Sequence, residues 1–221
     1  MSEFLSRLAT PALVGLILTA SALVIFNDWR LSFAALAAQY LLAAALVAQI
    51  VVWQVAVVKV LVGLLVVGIL VFTGSEVSFG RRGPPPPMPA LTEEGEAAPR
   101  SRFEFPTNFP FRLLATVMIA VAAWYTASQP GFALPGLPLG VNLASYLLLA
   151  LGLLNLGLTE EPMNAGMGLL TLLVGFEMLY SAFEQSLAVA ALLAAVEFGV
   201  ALAVSYLALL QYAATEKELP G

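Results

Sequence analysis

The sequence predicts an all-α, polytopic membrane protein with about seven transmembrane helices, and three observations carry that prediction. Apolar residues make up 61% of the 221 positions and charged residues only 10%, where soluble domains average about 25% charged. The apolar residues fall in runs long enough to cross a bilayer, which takes about 20 residues of helix. Only residues 74–110 are too polar to be embedded. No segment alternates apolar and polar residues, and none is short enough for a barrel strand, so a β-barrel is not expected.

The elements follow in order. Residues 1–10 are a short polar start. Pro11 to Phe26 is the first span, closed by Asn27-Asp-Trp-Arg30. A signal peptide is the alternative for this stretch, with Thr19-Ala-Ser-Ala22 as a cleavage-like pattern. Leu31 to Phe72 is a 42-residue apolar run, about twice the length of one crossing. It must fold back, and Gln49-Ile-Val-Val-Trp-Gln54 supplies the only polar and interfacial residues for a turn. Spans two and three are therefore expected near 32–51 and 54–73.

The segment that follows, Gly74 to Pro110, contains Pro84-Pro-Pro-Pro87, five glutamates and four arginines. Such a composition cannot bury enough apolar surface to fold alone, which predicts an extended or disordered loop. Its end carries Phe103, Phe105, Phe109 and Phe111, suited to a membrane interface. Span four is expected at about 111–127, then an uncharged Pro/Gly loop from Ser128 to Asn142. Span five (143–158) stops at Thr159-Glu-Glu-Pro162, span six runs 164–183 with Glu184-Gln-Ser186 as a turn, and span seven runs 187–212. The organisation is thus helices 1–3 over 1–73, a Pro-rich linker over 74–110, helix 4 and its outer loop over 111–142, a three-helix unit over 143–213, and a tail over 214–221.

Basic residues tend to collect on the cytoplasmic side of a membrane. With seven spans, Arg30, Arg81, Arg82, Arg100, Arg102, Arg112 and Lys217 fall on one side, Arg7 on the other, and Lys59 inside a span. The expected orientation is an outer amino terminus with a cytoplasmic linker and carboxyl terminus, in the cell's inner (cytoplasmic) membrane.

The composition also excludes chemistry. With no Cys and no His, there are no disulfides, thiolate or imidazole metal sites, haem ligands or iron–sulfur clusters. The formal net charge of −5 reflects mostly the linker and the chain ends. No phosphate-binding glycine loop, nucleophile–base pair or nucleic-acid-binding patch is present, and the Gly131–Gly140 matches lack the strand–helix context such loops need. No catalytic residue, cofactor or metal site is expected in this chain. Any redox centre of a host complex would lie in other chains.

What remains is a set of charged and polar residues at membrane depth. Glu177 lies within Leu173-Val-Gly-Phe-Glu-Met-Leu-Tyr-Ser-Ala-Phe183, and Glu197 within Ala194-Ala-Val-Glu-Phe-Gly-Val-Ala-Leu202. An ionisable side chain in such surroundings is costly and marks a functional site. With a turn near 184–186, the two acids are expected at similar, near-central depths on antiparallel helices. Glu184 shares the face of Glu177 but lies near the interface. Lys59 either snorkels to the outer interface or faces inward and pairs with an acid. Gln39 suits an interhelical hydrogen bond. Asn142, Asn155 and Asn164 flank span five and could hold water, and Gly152, Gly157, Gly166, Gly168 and Gly175 allow close helix packing.

The two carboxylates also carry a resemblance. Gly175-Phe-Glu177 and Ala194-Ala-Val-Glu197 resemble the Gly-x-Glu and Ala-Ala-x-Glu motifs of the three-helix K-type subunit of bacterial complex I and of the related C-type subunit of Mrp antiporters. Trp29-Arg-Leu-Ser32, Gln39, and Trp53 followed by Lys59 extend the similarity to the longer E-type membrane component of group 4 hydrogenases. The chain differs from the K-type pattern in the short gap between its acids, in the Pro-rich linker, and in Glu160-Glu161 where basic residues often stand. The resemblance implies a membrane-arm subunit of a proton-translocating oxidoreductase complex, placed between antiporter-like subunits and a quinone- or hydrogenase-linked module. In such a subunit Glu177, Glu197 and Lys59 would serve proton or sodium translocation, with Gln39 and Glu184 in support. The alternative is a structural anchoring subunit whose acids only pin helices and whose linker recruits a partner.

Overall fold

The computed structural model describes residues 2–26, 28–77 and 109–218, and these form seven helices. They are α1 (Ser2–Ile25), α2 (Trp29–Val47), α3 (Trp53–Glu76), α4 (Phe109–Ser128), α5 (Leu139–Leu158), α6 (Pro162–Tyr180) and α7 (Leu187–Glu218). There is no strand among the described residues. Six of the helices are long and apolar enough to cross a membrane, and α1 adds a shorter apolar stretch, Thr10–Ile25. The chain is a polytopic membrane protein. Helices are the expected solution, because they satisfy backbone groups within each segment where no water can. The expected linker lies largely outside the described residues, as does the end of the tail.

Local chemistry explains several boundaries. The Asp28 carboxylate accepts from the Arg30 amide at 3.0 Å and caps α2. The Arg30 guanidinium rests over the Trp29 ring. Pro162 begins α6, where a missing N–H costs nothing. The fold-back of the long apolar run falls at residues 48–52, overlapping the expected turn at 49–54. Several boundaries depart from expectation: α1 is helical from Ser2, through the expected polar start, and α7 continues to Glu218, past the expected end at 212 and into the expected tail. Asn142 belongs to α5 rather than to the preceding loop, and α6 ends at Tyr180, so the α6–α7 connection takes in residues 181–186.

The helices form two units of three, α1–α3 and α5–α7, packed as matched pairs: α1 against α5, α2 against α6, and α3 against α7. Within each pair the helices run in the same direction. Arg112, at the start of α4, donates to the Val24 carbonyl at the end of α1 (3.1 Å) and to the Leu158 carbonyl at the end of α5 (3.3 Å). The ends of α1 and α5 therefore lie on one side, and α4 crosses back between them. A cation at two helix C-termini also meets the negative end of each dipole.

The core runs along α1, α2, α5 and α6, with Leu16, Leu36, Leu46, Leu148, Leu151, Leu170 and Met178 essentially unexposed. Glycines set the α5–α6 spacing. A Cβ on Gly152 would stand 2.6 Å from the Leu172 nitrogen, and one on Gly175 would stand 2.7 Å from the Leu149 nitrogen. Gly168 meets α5 in the same way and Gly166 faces Val204 of α7, whereas Gly157 has nothing within 4 Å. Four of the five singled-out glycines thus permit close approach, and Gly157 does not. Helices α4 and α7 keep most of their surface turned outward.

Candidate functional site

The site lies between α3, α6 and α7, near the α2–α3 and α6–α7 turns. Helix α3 packs on α2 and α7, and α6 packs on α5 and α7, so α3 and α6 face each other across a gap. Lys59 closes that gap by an ion pair and hydrogen bond from its Nζ to Glu177 Oε2. Both are largely shielded, at 8% and 14% exposure. Of the two alternatives for Lys59, the structure has the inward one.

Helix direction explains how these side chains meet. Side chains lean toward the N-terminus of their own helix. Glu177 lies three residues before the end of α6, about 4.5 Å along the axis, and leans inward. Lys59 lies six residues into α3, about 9 Å, and leans outward. The opposed leans bring the two charges to one level. Glu197, ten residues into α7, is deeper, about 15 Å from the helix start, and leans toward them. The two acids, expected at similar and near-central depths, lie at different distances from their helix ends. The end of α6 at Tyr180 leaves Glu177 shallower than Glu197.

Glu197 is 2% exposed, and its Oε1 has no hydrogen-bond partner. It interacts electrostatically with Lys59 and Glu177 and lies beside the Tyr40 hydroxyl of α2. A cavity of about 50 Å³ joins Lys59, Glu177 and Glu197 to Ser181, Glu184 and Ser186 at the turn. That volume admits a few water molecules, and the lining offers the polar partners that ordered water needs. Glu184 is exposed at the mouth, where its Oε1 accepts from the Ser186 amide at 3.0 Å. It shapes the turn rather than joining the buried cluster.

Deeper still, Gln39 is fully buried, and its Oε1 accepts from the Thr171 hydroxyl of α6 at 3.1 Å. This is the expected interhelical bond. The three asparagines also join segments. Asn142 donates to the Ala127 carbonyl (3.3 Å), Asn155 to the Asn164 carbonyl (3.3 Å), and Asn164 to Glu161 Oε2 (2.9 Å). Glu161 stands just before α6, at the opposite end from the cluster. Burial holds its carboxyl above the usual carboxylate range, against the opposing pull of the Asn164 amide.

The structure therefore gathers Glu177, Glu197 and Lys59 into one cluster, sets Glu184 at its entrance, and places Gln39 on its inner side. Two neighbours escape a reading of the sequence: Thr171, and Tyr40, which is 1% exposed. A signal for Tyr40 was present. Membrane tyrosines favour the interface, and this one sits mid-span beside Gln39. No protein-family model, curated protein or solved structure matches the chain.

Proposed function

We propose that this chain is a proton-transferring membrane-arm subunit of a multi-subunit assembly of the complex I-like, group 4 hydrogenase-like or Mrp type. The observation that carries the proposal is the convergence of Lys59, Glu177 and Glu197, from three different helices, on one water-sized cavity that leads to a turn. Isolated charges are costly at that depth, and a lone structural acid would need neither the cavity nor a second carboxyl. Lys59 offsets the charge of one of the two carboxylates, which leaves the second acid without a cation of its own. The motifs around the two acids and the orientation implied by Lys and Arg placement support the same role. In this reading the amino terminus is outer, the carboxyl terminus is cytoplasmic, and the partners are antiporter-like and redox-linked membrane subunits in the cytoplasmic membrane.

The geometry favours a proton over sodium. A proton needs one acceptor, whereas sodium needs a shell of oxygens, and the Lys59 ammonium occupies the space beside Glu177. The test is Glu177→Gln and Glu197→Gln in membrane vesicles of the native host. Both variants are expected to assemble, as judged on native gels, and to lose coupled proton uptake measured with a pH-sensitive dye. Wild-type uptake in both variants would overturn the proposal. The helix-pinning alternative draws support from the Lys59–Glu177 bridge itself, and it predicts unchanged transport once stability is restored by other means.

A further inference from the structure

We propose that Tyr40 is a positioning residue for Glu197, and that Gly63 exists in α3 to give the Tyr40 ring its place. Four observations lead there. Tyr40 is 1% exposed, and its hydroxyl has no hydrogen-bond partner. The Glu197 carboxyl, itself 2% exposed, is the group this hydroxyl meets. Buried polar groups are nearly always satisfied, and a buried phenol beside a buried carboxyl is a matched donor–acceptor pair. Finally, the ring is locked: a Cβ on Gly63 would stand 2.5 Å from Tyr40 Cγ and Cδ1, a separation that no real side chain tolerates.

The spacing on α3 organises both contacts. Lys59 and Gly63 are four residues apart and share one face. The first holds Glu177 across the gap, and the second seats the ring that meets Glu197. On α2, Gln39 and Tyr40 diverge, one toward Thr171 of α6 and the other toward α3 and α7. Tyr40 does not line the cavity, whereas Glu197 does, so the phenol backs the carboxyl on the side away from water. A phenol can donate to the ionised carboxylate and accept from the protonated acid. It can therefore hold the side chain in one place through both protonation states. This role presupposes that Glu197 exchanges protons as proposed above, but the contact itself is tested without transport.

The experiment uses the full chain in lipid nanodiscs and difference infrared spectroscopy. The Glu197 band is assigned by its loss in Glu197→Gln. Tyr40→Phe keeps the ring and removes only the hydroxyl. Its expected result is a shift of the Glu197 carbonyl band to higher wavenumber, as for a carboxyl that has lost a hydrogen bond. Gly63→Ala, which displaces the ring without touching its chemistry, is expected to shift the same band in the same direction. An unchanged Glu197 band in folded Tyr40→Phe would overturn the inference. Shifted bands combined with wild-type proton uptake in Glu177→Gln and Glu197→Gln would leave the contact standing and remove the transport role instead.

Discussion

The Lys59–Glu177 bridge offers the sharpest separation of stability from transport. Lys59→Met leaves Glu177 alone in a mostly apolar gap, and Glu177→Leu leaves Lys59 alone there. Removing one partner of a buried ion pair costs about 3–5 kcal/mol, mainly by stranding the other charge. The water-sized cavity beside this pair lets the stranded group hydrate, so a cost just below that range, about 2–3 kcal/mol, is expected. For a chain of this size each kcal/mol moves Tm by about 2–4 °C. Each single variant should then unfold roughly 4–12 °C below the wild type in detergent. The double variant Lys59→Met/Glu177→Leu removes both charges of the bridge and should return to within about 1 kcal/mol of the wild type. Intrinsic fluorescence during a thermal ramp reads all four proteins. Singles that unfold with the wild type, or a double variant that simply adds the two losses, would refute the reasoning. The double variant also decides between roles. If the acids only pin helices, it should transport normally, whereas a proton site should remain silent despite the recovered Tm.

Three further perturbations test other parts of the fold. Gly175→Ala forces a methyl to within 2.7 Å of the α5 backbone and should cost about 1–3 kcal/mol, while Gly157→Ala, with open space around it, should cost nothing in the same thermal assay. Arg112→Gln gives up charged hydrogen bonds to the ends of α1 and α5 and should cost about 1–3 kcal/mol; Arg112→Lys should recover only part, because one ammonium reaches two carbonyls poorly. Glu161 provides a pH signature. Its raised folded-state affinity for a proton stabilises the protein at acid pH, and that contribution is lost as pH rises through the raised value. The Tm of Glu161→Gln relative to wild type should therefore climb from acid to neutral pH, and a flat difference would contradict the assigned burial.

The helices were legible in the sequence because bilayer thickness dictates their length and the solvent allows little else. The fold-back inside Leu31–Phe72 could be placed because only one polar island interrupts it. The end of α6 could not, since Ser181-Ala-Phe183 is as apolar as the helix before it and nothing in its chemistry says stop. Glu177 and Glu197 stood out as acids in apolar runs. Lys59 stood out too, but its pairing with Glu177 did not, because the two are 118 residues apart and only the side-by-side placement of two helix units joins them. Arg112 reads as one more interfacial cation until the ends of α1 and α5 are seen beneath it. Tyr40 passes for a core residue because its ring is apolar; its mid-span place beside Gln39 is the one hint in the sequence, and the carboxyl its hydroxyl meets is seen only in the fold.

Helix α4 explains why the charged residues of the two units can meet at all. Each unit has three helices, so the chain leaves a unit on the opposite side of the membrane from where it entered. Joined directly, the second unit would be inverted. Lys59 would then sit near one face while Glu177 and Glu197 sat near the other. One extra crossing restores the direction, which is why α1 and α5 end together beneath Arg112. The same restoration makes α3 and α7 parallel and α6 antiparallel to both. Lys59 and Glu197 then lean outward while Glu177 leans inward, and the three charges arrive at one cavity. Helix α4 packs along α5 and more lightly on α1, while most of its surface faces outward and none of it reaches the cluster. Its contribution to the site is therefore topological, made without a single side chain in the cluster.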